Sequence, residues 1–168
     1  KEGTAVLSTE VDQVEATLHE GRTLTVELEH CIAVAAYVPN SGQKLERLDY
    51  RIQSWDPALR AYLQQLEARK PVVLFGDLNV CHLDADIWNV EAKHIPKSAG
   101  CTPQERESFS TLLEGFDDCF RSLHAEATGT FSYWTTRAGN QALNRGLRLD
   151  YAVASRALTS GSGALRLH

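Results

Sequence analysis

The run "PVVLFGDLNV", residues 71–80, constrains the fold more than any other stretch of the chain. Val72 to Phe75 are consecutive apolar residues and predict a core strand. The strand stops at Gly76, and a carboxylate, Asp77, and a carboxamide, Asn79, follow at once. If the backbone stays extended, side chains two residues apart point the same way, so Asp77 and Asn79 face one space beyond the strand's end. Gly, Asp and Asn also make ordinary turns, because they tolerate left-handed backbone and cap free amides. The alternative is a catalytic site at the carboxyl end of a sheet strand, where α/β proteins place their sites.

At 168 residues the chain is the length of one domain, and 43% apolar with 23% charged residues marks it as globular. No apolar run is long enough to span a bilayer, and no secretory signal is visible, so a protein without a membrane partner is expected. Cys31, Cys81, Cys101 and Cys119 show neither a C-x-x-C pair nor finger spacing. They read as reduced, mostly buried side chains of an intracellular protein. A net charge of −5 argues against a nonspecific polyanion binder. The chain has no methionine and starts directly in strand-like "GTAVLS", which suggests a fragment.

Residues 4–8 and then "TLTVELEHCIAVAAYV" (23–38) read as strands, the latter a hairpin broken at Glu29 and His30. After the turn-rich "PNSGQ", Leu45, Leu48, Ile52, Trp55, Leu59, Tyr62, Leu63 and Leu66 recur at helical spacing, with an interruption expected near Asp56 and Pro57. A long polar loop joins Cys81 to Cys101. Thr102, Pro103 and Glu105 then form a capping box for a helix whose apolar face is Phe109, Leu112, Leu113 and Phe116. "TFSYWTT" (130–136) and "LRLDYAVAS" (147–155) read as strands, the second with Leu147, Leu149 and Tyr151 on one face. Strands interleaved with helices predict an α/β layered domain over residues 1–168.

Polar residues gather at the predicted strand ends: Tyr37 and Asn40 in "YVPNSG", Asp77 and Asn79 in "GDLNV", and Asp150 in "LRLDY". Together they offer oxygen ligands for a hard cation, a candidate base and neutral donors to a phosphate, the equipment of metal-assisted phosphodiester hydrolysis.

The blocks "YVPNSGQKLERLDYRIQSWD", "PVVLFGDLNVCH", "AGCTPQERESF" and "GLRLDYAVAS" resemble, in order and spacing, those of the exonuclease III type of apurinic/apyrimidinic (AP) endonuclease. "GDLN" is shared across the wider endonuclease/exonuclease/phosphatase superfamily, whereas the "YVPN" and "TPQER" blocks are specific to AP endonucleases. The resemblance implies a four-layer α/β sandwich, of which this chain holds the central and C-terminal part. It implies a DNA base-excision repair activity: Mg²⁺-dependent (or Mn²⁺-dependent) hydrolysis 5′ to an abasic site in double-stranded DNA, with 3′ exonuclease or phosphodiesterase side activity. A monomer in the nucleus or cytoplasm is expected.

By the same resemblance Asp77 activates the attacking water, Asn79 holds that water or a phosphate oxygen, and both serve as metal ligands. Tyr37 and Asn40 contact the scissile phosphate, and Asp150 orients a catalytic histidine. Tyr133, Trp134, Leu147 and Leu149 form the pocket for an extruded abasic sugar, cheap to flip because it lacks stacking. Arg148, Arg137, Arg145, Lys93, Lys97 and Arg106 are candidate phosphate contacts.

The chain departs from the family at Gln43, Leu147 and Ser98, and its loop 90–97 is about two residues longer. The resemblance puts the metal-binding glutamate upstream of Lys1 and the catalytic histidine downstream of His168, so this segment alone is expected to be inactive. His19, His30, His82, His94, His124 and His168 therefore read as structural or surface residues, His82 lying nearest the site. The competing functions are a phosphatase of small phosphoesters and a DNA-binding segment without catalysis.

Overall fold

A computed structural model describes residues 6–11, 20–136 and 139–160. Strands β1 (Val6–Val11), β2 (Thr23–Leu28), β3 (Ile32–Tyr37), β4 (Val72–Asp77), β5 (Phe116–Asp118) and β6 (Asp150–Ser155) form one sheet in the order β1-β2-β3-β4-β6-β5. Only β3 and β4 run parallel; every other neighbouring pair is antiparallel. A parallel pair needs a crossover. Here it is helical: α1 (Leu48–Tyr50), a π turn (Arg51–Trp55) and α2 (Asp56–Glu67). The break expected at Asp56 and Pro57 is this π turn. Pro57 has no N–H and its ring would crowd the carbonyl four residues back, so the helix widens ahead of it and continues.

The crossover and α3 (Pro103–Leu113) cover one face of the sheet. Trp55, Leu59, Leu63 and Leu66, with Phe109 and Leu112, bury Ile32, Val34, Val72, Leu74 and Val153. The opposite face stays open, with Leu24 41% and Phe75 43% exposed. β4 is therefore buried on one side only, alternating Val72 and Leu74 inward with Phe75 outward. Two of the four expected layers are present among the described residues. The alternation has a measurable consequence. Leu74→Ala is expected to cost about 2–5 kcal/mol in denaturant unfolding, and Phe75→Ala less than about 1 kcal/mol. Equal costs would mean that both faces are covered.

The capping box of α3 forms as expected: Thr102 Oγ1 accepts from Glu105 N at 3.2 Å, and the Glu105 carboxylate accepts from Thr102 N at 3.1 Å. Phe116 lies in β5 rather than on this helix, which ends before Gly115. The 130–136 segment makes no regular strand. Tyr133 forms an isolated bridge to Leu147, after which the Ser132 hydroxyl takes the amides of Leu149 and Asp150, at 3.0 Å each, where a backbone carbonyl would continue the ladder. The last sheet strand consequently starts at Asp150, not at Leu147.

The 82–100 loop carries two short 3₁₀ turns, Asp84–Asp86 and Ile95–Lys97, and has a small core of its own: Cys81, Ile87, Ile95, Cys101 and Leu149. Among the four free cysteines, Cys81, Cys101 and Cys119 are buried and Cys31 is partly so. No helix among the described residues is long and apolar enough to cross a membrane. Arg137, His19, His168 and the first two residues of the 4–8 segment lie outside the described residues.

Candidate active site

The sheet register assembles the site. Tyr37, the last residue of β3, pairs with Asp77, the last of β4, and Asp77 pairs with Asp150, the first of β6. Directly paired residues point to the same face, so one phenol and two carboxylates stand in a row on the open face, spanning about 10 Å at ordinary strand spacing. Gly76 allows this close pairing. Its φ is +132°, and a Cβ there would lie 2.2 Å from the Ala36 carbonyl oxygen.

Past the strand end the chain turns sharply at Asn79, whose φ of 49° is a left-handed value that asparagine tolerates. The turn folds Asn79 back on Asp77: Asn79 N donates to Asp77 Oδ1 at 2.9 Å and Asn79 Nδ2 to Asp77 Oδ2 at 3.3 Å. Asn79 Nδ2 also donates to Val38 O at 2.8 Å, and Asn79 Oδ1 accepts from Asn40 Nδ2 at 2.8 Å. Asn40 in turn accepts from Gly42 N at 2.9 Å. These bonds join Asn40 and Asn79 to Asp77, which the strand register sets between Tyr37 and Asp150. They also hold the Asn79 amide in a fixed orientation.

Beneath the cluster lies a group the sequence reading passed over. Arg51 is 3% exposed and Glu105 is fully buried. The guanidinium donates to Leu78 O at 2.7 Å and Asn79 O at 2.5 Å, and meets the Glu105 carboxylate at 3.3 Å. Glu105 also accepts from Ser41 Oγ at 2.5 Å. One buried ion pair thus fastens the loop carrying Asn40, the turn carrying Asn79 and the start of α3. Its signal in the sequence was a charge on the apolar helical stripe, three residues after Leu48 and four before Trp55.

Burial raises the pKa of Asp77 above the ordinary 3.8; the Asn79 amide opposes this and the Asp150 charge adds to it. A raised carboxyl binds its proton more tightly folded than unfolded. Its contribution to stability is present below pH 3.8 and is lost as pH rises through the folded value. Asp150→Asn removes one cause, so the Asp77 titration, followed by carboxyl NMR without divalent cations, is expected to move to lower pH. An unmoved titration would show that the two carboxylates do not sense each other.

The expected sugar pocket is only partly assembled. Tyr133 and Trp134 line a cavity of about 660 Å³ with Thr135, Thr136 and Asn140. Leu147 is half-buried and bridges Tyr133 and Ile87. Leu149 is 8% exposed and belongs to the small core under the loop, so it is corrected to a packing residue. Arg148 is corrected as well. It is 4% exposed, bonded to Asp86 at 2.8 Å and to Asp118 at 2.7 Å, and stacked 4.2 Å from the Tyr151 ring. Spent on two buried carboxylates, it anchors the 82–100 loop to the sheet and has no face for DNA.

Arg106 is partly exposed and already engaged, donating to His82 O at 2.8 Å and pairing with the exposed Asp84 at 2.7 Å. Arg145 lies 5.2 Å over Trp88, and Lys93 and Lys97 are exposed. His82 bonds Ser110 Oγ at 3.0 Å and meets Phe109 edge-on, and burial lowers its pKa, so it is a neutral packing residue. His30 sits beside Glu29, His124 against Phe120, and the His94 backbone carbonyl accepts from Ser98.

Among the described residues, no group of three or more His, Cys, Asp or Glu is disposed to hold a metal ion. Asp77 and Asp150 are near enough for the Asp150 charge to contribute to the Asp77 shift.

The chain is similar to proteins of known kind. An exodeoxyribonuclease of Bacillus subtilis is 44% identical over 146 residues, 86% of this chain and 57% of that protein. DNA repair nuclease APEX1 of Danio rerio is 48% identical over 143 residues, 84% of this chain and 45% of that protein. The crystal structure of AP endonuclease LMAP from Leishmania major superposes with a TM-score of 0.76 at 35% identity, covering 83% of this chain and 47% of that one. The chain thus spans about half the length of the relatives it matches. The Endonuclease/Exonuclease/phosphatase family model matches residues 9–167. With that match over nearly its whole length, and with the Tyr37, Asp77 and Asp150 row at the sheet's edge, the chain belongs to the endonuclease/exonuclease/phosphatase family.

Proposed function

We propose that this chain carries part of the hydrolytic centre of an AP endonuclease, an enzyme that cleaves the phosphodiester on the 5′ side of an abasic site in duplex DNA. The observation that carries the reading is the row of Tyr37, Asp77 and Asp150 on adjacent strands, with Asn40 and Asn79 joined beside it. Asp77 accepts a proton from the attacking water. Its raised pKa makes it a better base than a free carboxylate, and Asn79 keeps it aimed. The Tyr37 hydroxyl and the Asn40 amide donate to non-bridging phosphate oxygens. A Mg²⁺ ion with Asp77 among its ligands, or Mn²⁺ in its place, would neutralise charge on the phosphate. Tyr133, Trp134 and Leu147 receive the extruded sugar, which is cheap to flip because it has no base to unstack.

The names of the relatives, a DNA repair nuclease and an exodeoxyribonuclease, favour DNA over small phosphoesters as the substrate. The test is a rate comparison among an abasic duplex, the same duplex without the lesion and an inositol polyphosphate. The abasic duplex is expected to be cut fastest by orders of magnitude, and preference for the inositol phosphate would overturn the reading. Within the same assay, Leu147→Glu is expected to erode the preference for abasic over intact duplex more than it weakens overall binding, since nonspecific affinity comes from phosphate contacts. Equal losses on both substrates would make Leu147 a packing residue.

A further inference from the structure

Two thiols in the small core under the 82–100 loop have no part in the chemistry above. Cys81 and Cys101 stand twenty residues apart in sequence with their sulfurs 3.6 Å apart. Both are buried, 0% and 2% exposed. The two chain segments run side by side at this point, because Cys81 N donates to Gly100 O at 2.7 Å. Backbones one hydrogen bond apart are at the separation that a disulfide spans, and closing the sulfurs to bonding distance asks for a movement of about 1.5 Å. The other cysteines are elsewhere: Cys31 follows β2, and Cys119 opens a short helix (Cys119–Leu123) after β5. The pairing is therefore unambiguous.

We propose that Cys81 and Cys101 form an oxidisable dithiol, which a low-molecular-weight disulfide converts to a cross-link that clamps the 82–100 loop onto the strand end carrying Asn79. One cysteine thiolate attacks the small disulfide, forming a mixed disulfide and releasing one small thiol. The second cysteine displaces the other small thiol and closes the protein disulfide. Two S–H bonds are lost from the protein, and the oxidant takes up two electrons and two protons.

Access comes through the loop. Its core of Cys81, Ile87, Ile95, Cys101 and Leu149 is separate from the main core, so it opens without unfolding the sheet. The cross-link bears directly on the site, for the Gly100 backbone packs against Asn79: a Cβ on Gly100 would lie 3.1 Å from the Asn79 carbonyl oxygen. None of this depends on the nuclease reading.

The test exposes the folded chain to oxidised glutathione without denaturant, blocks remaining thiols and maps peptides by mass. The expected product joins the Cys81 and Cys101 peptides with loss of two hydrogens. It raises Tm by about 5–10 °C, as closure of a loop of this length does. Dithiothreitol reverses both changes, and neither Cys81→Ala nor Cys101→Ala shows them. Recovery of Cys81 and Cys101 as free thiols while the more exposed Cys31 carries glutathione would overturn the proposal. So would a cross-link that forms only in denaturant.

Discussion

Asp77→Asn is expected to slow cleavage of an abasic duplex by at least ~10²-fold while leaving affinity for that DNA nearly unchanged. The substitution is almost isosteric. It keeps an oxygen to accept the Asn79 backbone amide, a bond now 2.9 Å long, and removes the charge, the basicity and the acceptor for the weaker bond from Asn79 Nδ2 at 3.3 Å. Binding rests on phosphate contacts elsewhere, so the loss falls on the chemical step. The folded protein does not suffer, because burial and the Asp150 charge both disfavour the ionised carboxylate. Stability at neutral pH is expected to be no lower than that of the parent. Single-turnover kinetics with a parallel binding titration separate the two effects. A rate change below about tenfold would remove Asp77 from the role of base.

The second large effect belongs to a residue that touches no substrate. Arg51→Met is expected to cost about 3–5 kcal/mol in denaturant unfolding, since it leaves the Glu105 carboxylate buried without its cation. Glu105 is fully buried, and the carbonyls of Leu78 and Asn79 would lose their guanidinium donors. Adding Glu105→Gln removes the stranded charge, so the double variant is expected to recover part of that stability. It does not recover cleavage, because the Asn40 loop and the Asn79 turn have lost their common anchor. Additive stability losses in the double-mutant cycle would mean that Arg51 and Glu105 do not act as a unit.

Those two residues mark where the sequence was readable and where it was not. Local chemistry was legible. The Thr102 capping box, the hairpin of β2 and β3 and the strand from Val72 to Phe75 depend on neighbours in the chain and form as expected, although β4 runs on through Gly76 to Asp77. The site row was legible through strand ends, since Tyr37, Asp77 and Asp150 each close or open a strand. Long-range pairing was not legible. Arg148 looked like a free cation in a DNA-facing loop, and only the fold shows Asp86 and Asp118 enclosing it from distant parts of the chain. The 130–136 segment had strand propensity, yet a single serine hydroxyl ended its ladder. Phe75 looked buried because apolarity cannot say which face of a sheet is covered.

The most direct measurement of the central claim is the chemistry of the ends left on an abasic duplex by the intact protein with Mg²⁺. Water activated beside Asp77 adds to phosphorus, so the account predicts a nick immediately 5′ to the lesion with a 3′-hydroxyl on one side and a 5′-deoxyribose phosphate on the other. A 3′ unsaturated aldehyde, the mark of strand scission by elimination without water at phosphorus, would contradict it.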